Sequence, residues 1–257
     1  MKNIVNLIND YSNNLFHFTR LDSAVRILST GLLRFGKLED MNDIAESSLT
    51  VYSDYLSEGD VEQELKKYKL LSFTLDTIEC RGYEIDPLWG HYAESGNGVC
   101  IVFDKEKLEQ RLKSTFHSCR ECSKIIYEPG ITSAAIMQKS DAKKKSVKDL
   151  WIKRNMIFFT KSIDWQYEQE YRFLVKSRKD GEDNLSIDGC VKAVIICSPK
   201  FKGEKVKNST SYQVLKNLKN QPPILCYQQA LGSKQLICYE DESNGGFRVD
   251  DVWGIDI

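Results

Sequence analysis

Three short segments of the sequence carry residue types that can bind a ligand or take part in catalysis. The first, residues 15–20 (LFHFTR), places His17 in a short apolar run that is typical of a buried strand. Thr19 follows two residues later and therefore shares a face with His17 on an extended strand. A polar ring at a strand end can hold a ligand by hydrogen bonds. A single histidine in such a run is more often a core residue whose hydrogen bonds are satisfied.

The second group offers two aromatic rings, one from a predicted strand and one from the helix predicted after it. Ser72 and Phe73 lie on a predicted strand, and Tyr92 lies in a short predicted helix that Pro87 opens and Gly96 closes. Two rings that face each other form a slot for a planar heterocycle, in which stacking contributes roughly 1–3 kcal/mol per ring. The alternative is that both rings are ordinary core residues, which is the more frequent role of aromatic side chains.

The third segment, residues 167–172 (YEQEYR), carries two carboxylates. If it is a strand, Glu168, Glu170 and Arg172 project to one face. The two carboxylates then repel each other, and the pKa of one is raised unless Arg172 offsets the repulsion. An ordinary solvated strand face would have the same composition. The bulky residue Trp165 just before it favours a partly enclosed site.

The elements that must position these residues follow a mixed order. Short helical patterns lie between the strands. One is capped by Asp22 or Ser23 and ends at Gly31, and a second opens with the acidic stretch 57–60 and continues through Lys67. Others cover 105–113, with Asp104 as the cap, and 146–159. Because strands and helices do not alternate regularly, the sequence predicts an α+β fold and not a doubly wound sheet. Strands are predicted over 15–18, 32–35, 70–75, 98–103, 124–127, 171–175 and 191–197.

Composition restricts the class of protein. The chain has 257 residues, 41% hydrophobic and 28% charged, with a formal net charge of −1. It can therefore bury a substantial core, and it has no global basic field that would attract nucleic acid. We find no apolar stretch of membrane-spanning length and no signal-peptide core. These features predict a cytoplasmic protein without a membrane partner.

The eight cysteines are mostly scattered, and several lie in apolar strand-like runs, as small buried thiols do. Residues 117–122 (HSCREC) are the exception, since they offer three soft metal ligands within six positions. A structural zinc site needs four ligands, and no second Cys or His pair follows at the required spacing. We therefore expect free thiols and no metal.

Several of these segments together resemble one bacterial family, the domain of unknown function 2971. The most specific motifs are WGHYA at 89–93 and YEQEYR at 167–172. The resemblance extends from about residue 15 to residue 200. It implies a domain over 1–200, with 201–257 as a C-terminal extension packed on the same domain. The supporting motifs are LFHFT (15–19), FGKLEDMNDIAE (35–46), LSFT (71–74), GVCIVFD (98–104), KS (161–162) and VKAVIICSP (191–199).

That family is in turn distantly similar to ADP-ribosyltransferases of the His-Tyr-Glu type. The similarity implies a mixed, mostly antiparallel split sheet with flanking helices, and NAD as the substrate. His17, together with Thr19 or Arg20, would hold the distal ribose and the pyrophosphate. Phe73, beside Ser72, would enclose the nicotinamide from one side.

The same resemblance implies which residues perform the chemistry. Tyr92 would form the other wall of the nicotinamide slot. Glu170 would bind the nicotinamide ribose and stabilise the oxocarbenium ion that forms when the glycosidic bond breaks. Glu168 would orient the acceptor, although the sequence does not settle which of the two glutamates is catalytic.

The acceptor and the biological role are expectations of the same kind. Small bacterial ADP-ribosyltransferases often act as toxins in toxin–antitoxin modules or phage defence. The resemblance thus implies nucleic acid or protein as acceptor and an antitoxin as a possible partner.

Two alternatives stay open. One is a metal-dependent nuclease that uses Asp164, Glu168, Glu170 and Lys161, and the other is a non-catalytic domain that binds a nucleotide or a partner. The basic residues around 143–154 could contact phosphates or form a solvated helix face.

Overall fold

The computed structural model describes residues 8–41, 43, 50–53, 56–129, 134–137, 148–177, 183–197, 208–219, 222–230, 233–238 and 247–248. The strands in these ranges are β1 (Asn14–Thr19), β2 (Leu32–Arg34), β3 (Gly36–Lys37), β4 (Thr50–Ser53), β5 (Tyr68–Thr74), β6 (Val99–Asp104), β7 (Arg120–Lys124), β8 (Ile126–Glu128), β9 (Ala134–Met137), β10 (Thr160–Ser162), β11 (Glu170–Lys176), β12 (Asn184–Ser186), β13 (Val191–Cys197), β14 (Ile224–Ala230), β15 (Ser233–Cys238) and β16 (Phe247–Arg248).

The α-helices in the same ranges are α1 (Leu21–Thr30), α2 (Glu58–Leu65), α3 (Asp86–His91), α4 (Lys105–Thr115), α5 (Asp149–Ile152), α6 (Arg154–Phe158) and α7 (Thr210–Lys216). Short 3-10 helices cover Tyr11–Asn13, Leu38–Asp40, Gly82–Glu84, Glu94–Gly96 and Ile163–Glu168. Among the described helices, none is both long enough and apolar enough to cross a membrane.

Helix ends follow local sequence signals in part. Helix α1 ends at Gly31, which has φ 68° and whose N–H donates to the carbonyl of Ile27. This left-handed cap confirms the predicted stop, because glycine adopts that conformation without the Cβ penalty. The predicted start is wrong, since the helix begins at Leu21 and Arg20 stands at the N-cap position without a side-chain hydrogen bond. Asp104 does cap α4, as its carboxylate accepts from the backbone N–H of Lys107.

Three other element predictions are corrected by the structure. The single helix over 146–159 is wrong: within the described residues, α5 and α6 are separate helices with Lys153 between them. The strand over 124–127 is divided into β7 and β8 at Ile125, whose N–H donates to the carbonyl of Glu170. Residues 167–172 are not one strand, because β11 begins only at Glu170.

The chain divides into two compact units. Unit 1 comprises Met1–Leu32, Phe73–Leu108 and Ser186–Ile257, and unit 2 comprises Leu33–Ser72 and Glu109–Leu185. The domain over 1–200 with an extension over 201–257 stays a prediction. Residues 201–257, which the sequence set apart as an extension, are grouped with unit 1.

Unit 1 is built on a sheet with the strand order β16-β15-β14-β13-β6-β1. Strand β1 is antiparallel to β6 over its whole length, with His17 opposite Ile101, and Phe16 also pairs with Thr74 at the end of β5. All neighbouring strands in this order are antiparallel except β13 and β14, which are parallel. The residues 99–103 of β6 are fully buried and form the centre of the core.

Unit 2 contains the strand order β5-β11-β7, and β3 pairs with β5. Strand β11 is antiparallel to β7, with Phe173 opposite Cys122. Strand β10 runs parallel to β8, which places Lys161 opposite Tyr127. A core cluster that includes Tyr68 supports these strands. The predicted α+β class and a mostly antiparallel sheet are thus confirmed.

Candidate active site

Four charged side chains of unit 2 come together at the start of β11, and we call them the charge cluster: Lys161, Glu168, Glu170 and Arg172. Lys161 lies on β10, Glu168 ends the 3-10 helix Ile163–Glu168, and the other two lie on β11. Between the glutamates, Gln169 has φ 48° and ψ 45°, a left-handed conformation that stops the helix. Non-glycine residues seldom adopt this conformation, and it occurs often at functional sites.

The contacts within the charge cluster are short. Arg172 donates to both oxygens of Glu170, from Nε to Oε1 at 2.7 Å and from Nη2 to Oε2 at 2.9 Å. Lys161 Nζ donates to Glu168 Oε2 at 2.7 Å and lies 3.5 Å from Glu170 Oε2. The Arg172 pair is a bidentate arrangement, which adds geometric specificity to the charge attraction.

The cluster is almost completely removed from solvent. Arg172 is 1% exposed, and Lys161, Glu168 and Glu170 are each 4% exposed. Burial of an isolated charge would be strongly unfavourable, but two cations and two carboxylates cancel each other here. The alternative of a solvated strand face therefore does not apply, and Arg172 offsets the repulsion between the two carboxylates.

Burial alone would raise the pKa of Glu170. The charges of Arg172 and Lys161, with hydrogen bonds from Arg172 and from the Ser72 hydroxyl, outweigh burial and lower this pKa from 4.5 to about 2. Glu170 therefore remains an ionised carboxylate inside the protein at neutral pH. The sequence-based possibility of a raised pKa does not apply to this residue.

Neighbouring groups fix the cluster in place. The backbone N–H of Glu170 donates to the Tyr127 hydroxyl at 2.9 Å, and burial raises the pKa of that hydroxyl, which stays protonated. Arg172 Nη1 donates to the carbonyl of Phe158 at 2.7 Å. Lys161 Nζ also lies 4.5 Å from the centre of the Trp165 ring, close enough for a cation–π interaction.

The predicted ring residues lie in unit 1. The rings of His17 and Phe73 are 5.7 Å apart with an angle of 57° between their planes, and Phe73 also meets Phe103 edge-on at 6.0 Å. Phe73 is 2% exposed. Tyr92 is half-buried just after α3, 6.4 Å from the ring of His91.

Ser72 and Phe73 on β5 have different partners. Ser72 and Phe73 are consecutive on this strand, so their side chains leave it on opposite faces. The Ser72 hydroxyl reaches Glu170, whereas the Phe73 ring packs against His17. Of these two residues, it is Ser72 that forms a hydrogen bond with Glu170.

The remaining predicted binding residues are polar and accessible. Thr19 is half-buried at the end of β1. Arg20 is exposed, and its Nε lies 3.3 Å from a carboxylate oxygen of Asp22 and 3.2 Å from one of Glu94. Both pairs are solvated, so they hold Arg20 only weakly and leave its guanidinium accessible to an anionic ligand.

Within the described part of the chain, no group of three or more His, Cys, Asp or Glu side chains could hold a metal ion. Cys119 and Cys122 are half-buried free thiols. Of the carboxylates in the nuclease alternative, Glu168 and Glu170 are paired with protein cations, and Asp164 is exposed.

The basic segment is only partly described, since residues 143–145 lie outside the described ranges. Arg154 uses its charge within the protein: Nη2 and Nε lie 2.7 Å and 3.0 Å from Glu121 Oε2, and its guanidinium covers the Trp151 ring at 4.9 Å. Lys148 is exposed. The continuous basic helix that the sequence suggested is interrupted at Lys153.

Sequence reasoning missed one part of this site. The sequence connects Lys161 with the two glutamates only through the nuclease alternative, and it gives no sign that Tyr127 belongs to the site. The available signal was the KS pair at 161–162, which precedes the aromatic segment by a few residues. Nothing in that spacing shows that β10 would direct the lysine at both carboxylates.

The comparisons with known proteins agree with one part of the resemblance. A family model described as "Protein of unknown function (DUF2971)" matches residues 88–173, from α3 to the middle of β11. The matched segment contains Tyr92 and the whole charge cluster, and it supports the DUF2971 family for this chain. Nothing among curated proteins or solved structures matches the sequence.

Proposed function

We propose that this protein is an NAD-dependent ADP-ribosyltransferase in which Glu170 is the catalytic carboxylate. The observation that carries the proposal is an ionised, buried carboxylate at the start of β11, hydrogen bonded to Ser72 of β5. A fixed negative charge in a water-excluded site stabilises a positive charge that develops in the transition state far more than it would in water.

The reaction can be written from this carboxylate. The bond between ribose C1′ and the nicotinamide nitrogen breaks, and nicotinamide leaves with the bonding electrons. The oxocarbenium ion that remains is stabilised by Glu170 until a nucleophile on a nucleic acid or a protein attacks C1′ and loses its proton. Glu168 would orient that acceptor.

The surroundings of Glu170 indicate how NAD could gain access to it. Arg172, Lys161 and Ser72 together occupy its acceptor positions in the free protein. The Lys161 contact, at 3.5 Å, is the longest and weakest of these. A ribose hydroxyl could share the Glu170 Oε2 acceptor with Lys161 while the bidentate Arg172 pair keeps the carboxylate oriented.

The ring residues support NAD as the ligand class. His17 and Phe73 place a polar and an apolar ring side by side, with Tyr92 on the segment after α3. In the proposed enzyme, His17 holds the distal ribose with Thr19 and Arg20, and the aromatic rings hold nicotinamide.

The test is nicotinamide release from NAD, measured with and without bacterial RNA, DNA and lysate. Glu170→Gln should reduce release at least ~100-fold, as expected when a charge that stabilises the transition state is removed. Glu64→Gln is the matched control, because Glu64 is also a buried carboxylate and is hydrogen bonded to Lys67 and Lys176. The Glu64→Gln variant should release nicotinamide at the wild-type rate.

Thermal unfolding and circular dichroism must show that each variant is folded. If Glu170→Gln does not fold, Ser72→Ala removes only one hydrogen bond to the carboxylate and should lower release roughly 10-fold. Wild-type release in folded Glu170→Gln would contradict the proposal. So would wild-type protein that neither releases nicotinamide nor is stabilised thermally by NAD.

A non-catalytic nucleotide-binding domain is the second candidate. It is favoured by the saturated hydrogen bonding of Glu170 and by the burial of Phe73, which both suit a structural role. Thermal stabilisation by NAD without turnover, and unchanged in folded Glu170→Gln, would select this candidate.

A further inference from the structure

We propose that Lys161 is a positioning residue that holds the carboxylates of Glu168 and Glu170 side by side for the reaction. This inference rests on the proposed function, in which both carboxylates face substrates. Lys161 itself is not proposed to touch NAD in the reactive complex.

The geometry gives Lys161 contacts that no other described cation makes. Its ammonium group donates to Glu168 at 2.7 Å and approaches Glu170 at 3.5 Å, while the Trp165 ring covers it at 4.5 Å. An ammonium group carries three donors, which suits a position between two acceptors and a ring face. The pairing of β10 with β8 fixes the backbone from which this side chain extends, with Lys161 opposite Tyr127.

The other cation of the cluster has a different task. Arg172 is committed to both oxygens of Glu170 and to the carbonyl of Phe158. Among the described residues, the cations in contact with the two buried carboxylates would fall from two to one if Lys161 lost its charge. Two buried carboxylates that share a single lysine cannot both remain ionised without a high cost in free energy once that lysine is removed. The pair would therefore take up a proton, or the two side chains would move apart.

Other titratable groups face the cluster without replacing Lys161. Tyr127, on β8, interacts with both carboxylates, and Tyr167, in the 3-10 helix, interacts with Lys161 and Glu168. Burial raises the pKa of both phenols, so both are neutral in the physiological range. Among the described groups, the charges that favour ionised carboxylates here are therefore those of Lys161 and Arg172.

The experiment compares Lys161→Met with wild type in the pH dependence of nicotinamide release. The acid limb of the profile, where activity is lost by protonation, should move toward neutral pH by ~1 unit or more, because removing a nearby positive charge raises the pKa of a carboxylate. Lys161→Arg keeps the charge and should keep the limb near its wild-type position.

The matched control is Lys67→Met. Lys67 is one of two lysines on the buried carboxylate of Glu64, at 2.9 Å, and Lys176 remains there when it is removed. This variant should keep the wild-type profile. If Lys161→Met does not fold, Lys161→Met/Glu168→Gln restores the charge balance and should fold, with its acid limb near the wild-type position.

A second measurement does not need activity. Carboxyl carbon shifts of labelled glutamate, followed by NMR in a pH titration, should show one carboxylate of the pair titrating at higher pH in Lys161→Met than in wild type. Absence of turnover in wild type would overturn the proposed enzyme, and the NMR titration would still decide the role of Lys161. Active wild type with an unmoved acid limb and unmoved glutamate titration in folded Lys161→Met would overturn this inference alone.

Discussion

Acid should destabilise the wild-type protein more than the Glu170→Gln variant. The pKa of Glu170 is lowered from 4.5 to about 2 in the folded protein, where Arg172 and Lys161 outweigh the effect of burial. A lowered pKa means that the folded state favours the ionised carboxylate. The stabilisation is therefore fully present above about pH 4.5 and is lost as the pH falls toward 2. The shift corresponds to about 3 kcal/mol of unfolding free energy.

The assay is the free energy of unfolding from urea titrations between pH 7 and pH 3. Glu170→Gln should be less stable than wild type at pH 7 by roughly 3–5 kcal/mol, because Arg172 and Lys161 would then face only one carboxylate. The difference between wild type and variant should shrink as the pH falls below about 4.5, since wild type then begins to lose the same charge. Circular dichroism of the native baseline checks that each protein is folded at every pH.

The control is Glu62→Gln. Glu62 on α2 accepts from Lys66, the residue just after this helix, at 2.7 Å, the same distance as Lys161 to Glu168, but both partners are well exposed. An exposed pair is screened by water, so this variant should follow the wild-type pH dependence closely. A constant difference between wild type and Glu170→Gln from pH 7 to pH 3 would refute the conclusion that folding lowers the pKa of Glu170.

Two further predictions concern backbone positions near the candidate site. A Cβ at Gly98 would lie 2.4 Å from the carbonyl oxygen of Thr19. The free energy of unfolding of Gly98→Ala, measured in urea, should therefore be roughly 1–3 kcal/mol lower than that of wild type. Equal stability of the two proteins would contradict this prediction. Gln169 has φ 48°, so Gln169→Gly should be at least as stable as wild type, whereas Gln169→Val should lose roughly 1–2 kcal/mol. The same unfolding assay checks this order, and equal stability of these two variants would disprove it.

Local patterns predicted several elements well. The range of β13, Val191–Cys197, agrees with the predicted strand at both ends, and the left-handed cap at Gly31 agrees with the predicted end of α1. Both depend on properties of neighbouring residues alone: a run rich in β-branched residues, and a glycine at the position that needs positive φ. The break at Lys153 was not predictable in this way, because the hydrophobic pattern continues on both sides of it.

For the candidate site, the sequence by itself determined that Glu168, Glu170 and Arg172 would be close, since each lies two positions after the one before it. It also indicated the DUF2971 family through motifs that the match over 88–173 supports. Only the tertiary structure decided that the carboxylates are buried, that Lys161 bridges them and that Ser72 reaches Glu170. These contacts depend on which strands pair and in what register. Pairing is set by packing between distant segments, which the periodicity of a single segment does not encode.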